Sequence, residues 1–147
     1  MLAIPKEYHW ADLQVGLRHE FQVVITAAMI DRFRDDSGDT NPLHTDAAYA
    51  RSQGFSGPVV YGLLTASFYS TLAGVYLPGK YSLLHGVDVS FLSPVFIGDE
   101  LKVSGEVAHL NDAYRQARIE AAIHNSNGLR VSRATLKVGV LAPATKS

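Results

Sequence analysis

The chain has 147 residues, 47% of them apolar and 18% charged, a size and balance that suit one globular domain and exclude a disordered segment. Thirteen basic and fourteen acidic side chains leave a formal net charge of −1, which argues against a dedicated nucleic-acid or anionic-membrane binder. The absence of cysteine removes disulfide scaffolds, thiolate metal sites and cysteine nucleophiles.

The apolar start Leu2-Ala3-Ile4 is far shorter than a signal-peptide core, so the cytosol is the expected compartment. No repeat or linker interrupts residues 1–147, which read as one domain. His19-Phe21-Val23-Ile25 alternates with Glu20 and Gln22 and predicts a short strand. Thr26 is a fitting N-cap for a helix carrying Met29, Ile30 and Phe33, stopped by Ser37-Gly38-Asp39. A polar loop follows, then a short helix over Asp46 to Arg51 and a connector from Gly54 to Pro58. From Val59 to Val75 the pattern predicts a helix that is apolar nearly all round, its exceptions being small hydroxyls. Such a helix has to be enclosed by other structure. The apolar stretch Pro58 to Leu77 contains Ser, Thr, Tyr and Gly, and reads as a core helix rather than a membrane span.

Beyond Leu77-Pro78-Gly79 the signals are β. Val87-Val89-Phe91 opposes Asp88-Ser90, and Leu101-Val103-Gly105-Val107 opposes Lys102-Ser104-Glu106, as half-buried antiparallel strands should. Ala117-Ile119-Ala121-Ile123 repeats the pattern, and Asn125-Ser126-Asn127-Gly128 turns the chain into a last strand. There the apolar phase slips between Val131 and Leu136, which predicts a bulge near Arg133. The sum is an α+β domain in which an antiparallel sheet covers one very apolar helix.

The chemistry-bearing stretch is Phe33 to His44. Gly38 permits a backbone conformation closed to other residues just before Asp39. Asn41 as cap and Pro42 at the first position can start a tight helical turn that holds His44. A carboxylate and an imidazole are thereby fixed on one stiff loop and can divide base and acid roles around a bound water. On spacing alone such a pair is usually a hydrogen-bonded loop of no catalytic role. The pair is too small to be a metal site, and His9, His19, His85, His109 and His124 show no ligand spacing.

The run Ser37-Gly38-Asp39-x-Asn41-Pro42-Leu43-His44, with Ala50 six residues later, resembles the hydratase motif of the MaoC-like family. Pro58-Val59-Val60-Tyr61-Gly62-Leu63-Leu64 is similar to the start of that family's central helix, and Phe91-x-x-Pro94-Val95-Phe96-x-Gly98-Asp99 to its next strand. The likeness runs from Trp10 to Val140. It implies a hot-dog fold, a long central helix wrapped by a curved antiparallel sheet. It also implies homodimers with an acyl-thioester tunnel near the subunit interface, and reversible syn hydration of trans-2-enoyl-CoA to (R)-3-hydroxyacyl-CoA without cofactor. The carrier is CoA or acyl-carrier protein. Carried onto this chain, Asp39 and His44 activate the water and deliver its proton to C2, on a loop supported by Gly38, Asn41 and Pro42.

The resemblance gives Gly62 the oxyanion role: an N–H at a helix N-terminus faces the thioester oxygen as charge develops there. Gly62 is equally suited to tight helix packing. Ser70, about 12 Å further along the helix, is too distant to share that oxygen and is assigned to the acyl tunnel or to support of the Asp39 loop. Ala73 is expected at the same tunnel, leaving depth for medium acyl chains, or else packs under the sheet. Two positions depart from the family pattern. Asp36 replaces an aliphatic residue and either raises the pKa of Asp39 or points to water. Tyr61 stands where many relatives carry His and is expected to alter the oxyanion end of the site. The competing functions are a hot-dog thioesterase and a non-catalytic acyl-thioester binding subunit.

Overall fold

The alternation read in the C-terminal half becomes one antiparallel sheet. The computed structural model describes residues 2–143, so the ends of the 1–147 span lie outside the described residues. Strands β1 (Arg18–Val24), β2 (Ser82–Phe91), β3 (Glu100–Asn111), β4 (Gln116–His124) and β5 (Arg130–Val140) lie in the order β1-β3-β4-β5-β2. On β3, Leu101, Val103 and Val107 are buried, and on β4, Ala117, Ile119, Ala121 and Ile123. These face the helix side, while Lys102, Glu106, Arg118 and Glu120 face water. A shift in pairing between Ile123 and His124 makes Val131 the extra residue of β5, two positions before the expected bulge at Arg133. Val131 and Ser132 are consequently both buried, which is the slip in apolar phase seen in the sequence.

Four helices precede or cross this sheet: α1 (Ala27–Ser37), α2 (Pro42–Thr45), α3 (Ala47–Ser52) and α4 (Gly62–Thr71), the last extended by a π-helical turn, Leu72–Tyr76. Together α4 and its π turn form the central helix of the hot-dog arrangement. The helix starts at Gly62, not Val59, because the preceding backbone is already paired elsewhere: Val59 N–H donates to Leu43 O at 3.0 Å and Val60 N–H to Val95 O at 2.8 Å. Its hydroxyls are satisfied by the preceding turn, Ser67 donating to Leu64 O at 2.6 Å and Thr65 to Tyr61 O at 3.4 Å. Thr65 and Tyr69 are buried towards the sheet, but Leu63 is 67% exposed, and Ser67 and Ser70 share that open side. The expectation of complete enclosure therefore fails within one chain.

Helix and sheet interlock at Gly105. A Cβ there would lie 2.6 Å from Leu72 Cδ2, so the missing side chain is what lets Leu72 sink into β3. The N-terminal segment straps the far end of the helix, Lys6 N–H donating to Val75 O and Lys80 N–H to Lys6 O, both at 2.8 Å. Among the described residues, no helix is long and apolar enough to cross a membrane.

Candidate active site

Local chemistry builds the loop that carries Asp39. Helix α1 starts at Thr26, whose side chain accepts the Met29 N–H at 3.3 Å, and ends in the left-handed region at Gly38, φ 74°. Ser37 Oγ then accepts the Asp39 N–H at 3.2 Å, and Asp39 Oδ1 accepts the Asn41 N–H at 3.1 Å. Asn41 Oδ1 in turn caps α2 by accepting the Leu43 N–H at 3.0 Å, with Pro42 at the first position. These successive side-chain turns give residues 37–43 a defined course although all but Leu43 are exposed.

His44, on α2, is fixed by a longer-range contact. Its Nδ1 lies 2.6 Å from Val59 O. A carbonyl can only accept, so Nδ1 carries a proton, and the tautomer this selects has Nε2 as its acceptor. Val59 answers with its own N–H to Leu43 O, so the two segments are doubly tied. Tyr61, two residues on, is 2% exposed and packs its ring against His44, centroids 4.1 Å apart, and against Phe33 at 4.8 Å. The Tyr61 hydroxyl donates to the Asp39 carbonyl at 2.5 Å. Burial, reinforced by the Asp39 carboxylate, raises the phenol pKa and keeps it a donor.

His44 opens onto a cleft of about 390 Å³ that Gly62, Thr65, Phe55, Phe91 and Pro94 help to line. Its walls are chiefly apolar, with the imidazole and the start of α4 as polar features. No side chain caps α4, and among the described residues the Gly62 N–H has no protein acceptor. The Phe91 ring covers Gly62 closely, within 3.2 Å of where a Cβ would stand. A larger hollow of about 610 Å³ lies against the outward side chains of the sheet, including Arg18, Glu106, Glu120 and Arg133. It is a charged surface groove, whereas the cleft joins an imidazole acceptor to an uncapped helix start.

The structure thus brings His44 and Gly62 to one cleft, and ties Asp39 to it through Tyr61; Asp39 itself is exposed and is not among the cleft's lining residues. Ser70 is exposed on the open side of α4, because its helical phase is that of Leu63 and Ser67. Ala73 is 2% exposed and sits in the core beside Leu72. Neither Ser70 nor Ala73 is among the residues that line the cleft. Asp36 points to water. The expectation for Tyr61 needs correction: its phenol reaches the Asp39 loop, not the helix end, because the ring turns under His44. Sequence reasoning missed the Val59 carbonyl altogether, since a backbone acceptor fifteen residues away leaves no mark in residue types. Among the described residues, no group of three or more His, Asp or Glu side chains is placed to hold a metal ion.

Comparison with known proteins gives this geometry a context. The family model of the MaoC-like domain matches residues 12–127. The chain is 39% identical over 116 residues to an (R)-specific enoyl-CoA hydratase of Aeromonas caviae, covering 79% of this chain and 87% of that one. It is 33% identical to a 3-hydroxybutyryl-CoA dehydratase of Methylorubrum extorquens over 119 residues, 81% of this chain and 76% of the relative. Among solved structures, an R-hydratase of Pseudomonas aeruginosa superposes with a TM-score of 0.87 at 27% identity, covering 97% of this chain and 95% of that one. An (R)-hydratase of A. caviae gives 0.83 at 36% identity, covering 87% and 97%. With a family model spanning most of its length and relatives above 30% identity, the chain belongs to the MaoC-like domain family.

Proposed function

We propose that the protein catalyses the reversible hydration of a trans-2-enoyl thioester, carried on CoA or acyl-carrier protein, to the (R)-3-hydroxyacyl thioester. The observation that carries this reading is the fixed tautomer of His44 at the wall of an apolar cleft that is also lined by Gly62, whose helix-start N–H has no acceptor among the described residues. Asp39 accepts one hydrogen of a bound water and orients it, and His44 Nε2 takes the other as the water oxygen attacks C3. The imidazolium so formed is stabilised by the Val59 carbonyl at Nδ1 and returns its proton to C2. One group that removes and then delivers the proton works on one face of the double bond, which gives syn addition. The Gly62 N–H holds the thioester oxygen while it carries enolate charge, helped by the positive end of α4.

The working unit is a homodimer. Strand β2 is an edge of ten residues with no strand on its outer side among the described residues. It exposes Leu83 (52%), Leu84 (37%), Val87 (42%) and Phe91 (50%), with none of the Lys or Pro that usually protect an edge. A second copy pairing β2 with β2 covers this row by an isologous contact. Leu84→Lys together with Val87→Lys is expected to convert the dimer to monomer in sedimentation.

Incubation with trans-2-butenoyl-CoA tests the function: enoyl absorbance falls and the (R) product accumulates without release of thiol. Asp39→Asn and His44→Ala each reduce the rate by orders of magnitude with the fold intact. Thiol release without loss of enoyl absorbance would indicate the thioesterase instead, and binding without turnover a non-catalytic subunit.

A further inference from the structure

The stretch that carries Asp39 is held almost entirely by itself. Among the described residues, every hydrogen bond to residues 38–41 spans four residues or fewer, with one exception, the Tyr61 hydroxyl to the Asp39 carbonyl across twenty-two positions. The same side chain lies against the imidazole of His44, 32° from parallel and 4.1 Å between centroids. Tyr61 is itself immobilised: it is 2% exposed, wedged by Phe33, and begins α4 as its cap residue.

We infer that Tyr61 is a positioning residue that sets the carboxylate of Asp39 and the imidazole of His44 in a common register through its hydroxyl and its ring. The inference rests on the catalytic reading of that pair. Val59 anchors His44 from one side, and two residues later Tyr61 anchors Asp39, so both catalytic groups hang from one short connector. The ring limits the tilt of the imidazole about the Nδ1–Val59 bond. The hydroxyl fixes the Asp39 backbone, whose carboxylate is otherwise aimed, among the described residues, by the Asn41 N–H alone.

Steady-state hydration of trans-2-butenoyl-CoA is measured for Tyr61→Phe, Tyr61→Leu, Asp39→Asn, His44→Ala and the doubles. Removing the hydroxyl alone is expected to lower kcat roughly ten- to a hundred-fold, the effect of a misplacement of about 1 Å, with KM within about twofold. In the Asp39→Asn background the same change costs less than about twofold, because the group it positions is already gone. Tyr61→Leu loses more than Tyr61→Phe when His44 is present and no more when it is Ala. An unchanged kcat in Tyr61→Phe overturns the inference, as does an equal loss with and without Asp39. So does loss of folded protein in Tyr61→Phe by circular dichroism, which would make the hydroxyl a stability element. Near-normal turnover in Asp39→Asn alone signals instead that the catalytic pair is wrong.

Discussion

Substituting Gly62 by alanine separates the oxyanion role proposed for its N–H from simple packing. The new Cβ would stand 3.2 Å from two carbons of the Phe91 ring, a few tenths of an ångström inside ordinary contact. Phe91 is half exposed at the end of an edge strand, so its ring can yield, and Gly62 holds no left-handed conformation that alanine would refuse. The gain in helix preference from Gly to Ala, at most about 1 kcal/mol, acts in the opposite direction to the contact. Folding stability should therefore change by less than about 1 kcal/mol. Catalysis should not escape so lightly. A methyl group beside the N–H obstructs the thioester oxygen, and loss of one oxyanion donor costs about 2.7–4 kcal/mol, or 10²–10³ in kcat. The assay is loss of enoyl absorbance from trans-2-butenoyl-CoA, with thermal melting as control. A folded Gly62→Ala protein with kcat within about threefold of wild type would refute the oxyanion assignment. Recovery of rate on adding Phe91→Leu would refute it too, by tracing the loss to a displaced ring.

Asn41→Ala removes the cap of the one-turn helix that carries His44; turnover should fall about tenfold, whereas Asn41→Asp keeps the acceptor and most of the rate. Tyr69, fully buried and donating to Ser132 Oγ at 2.9 Å, has its phenol pushed up to about 12 from an ordinary value of 10. The native state thus keeps a proton that the unfolded chain releases, so stability is full below pH 10 and declines, by about 2 kcal/mol, as pH rises towards 12. Urea titrations between pH 8 and 11 should show that decline in wild type and a shallower one in Tyr69→Phe; identical slopes would exclude Tyr69 as the source. Ala73→Leu overpacks the core and should cost about 1–3 kcal/mol with an unchanged preference among enoyl chain lengths, while a shift towards short chains would place Ala73 at the acyl passage.

Much of the fold was readable because it rests on short-range chemistry. The Thr26 cap, the left-handed Gly38, the Asn41-Pro42 start and the alternation on β3 and β4 all behave as their residue types require. Errors occurred where distant backbone decided. Val59 and Val60 have the apolar character of a helix start, yet their N–H groups are taken by Leu43 and Val95, and the Val59 carbonyl by His44. Strand β2 begins at Ser82, five residues before its alternation becomes visible, because an edge strand with both sides partly exposed need not alternate. Within the site, the motif pointed to Asp39 and His44 but not to what holds them. The partners of that loop, a carbonyl and a phenol, lie fifteen and twenty-two positions away.

Helix α3 and the connector after it, residues 46–58, depart from and return to two points that are clasped without them, Leu43 against Val59. That stretch is a detour outside the clasp that holds His44, and within it Ala50 is fully buried. It also supplies Phe55 to one wall of the cleft. Exchanging it as a cassette for a shorter or longer segment therefore offers a way to recast substrate preference while leaving the reacting centre in place.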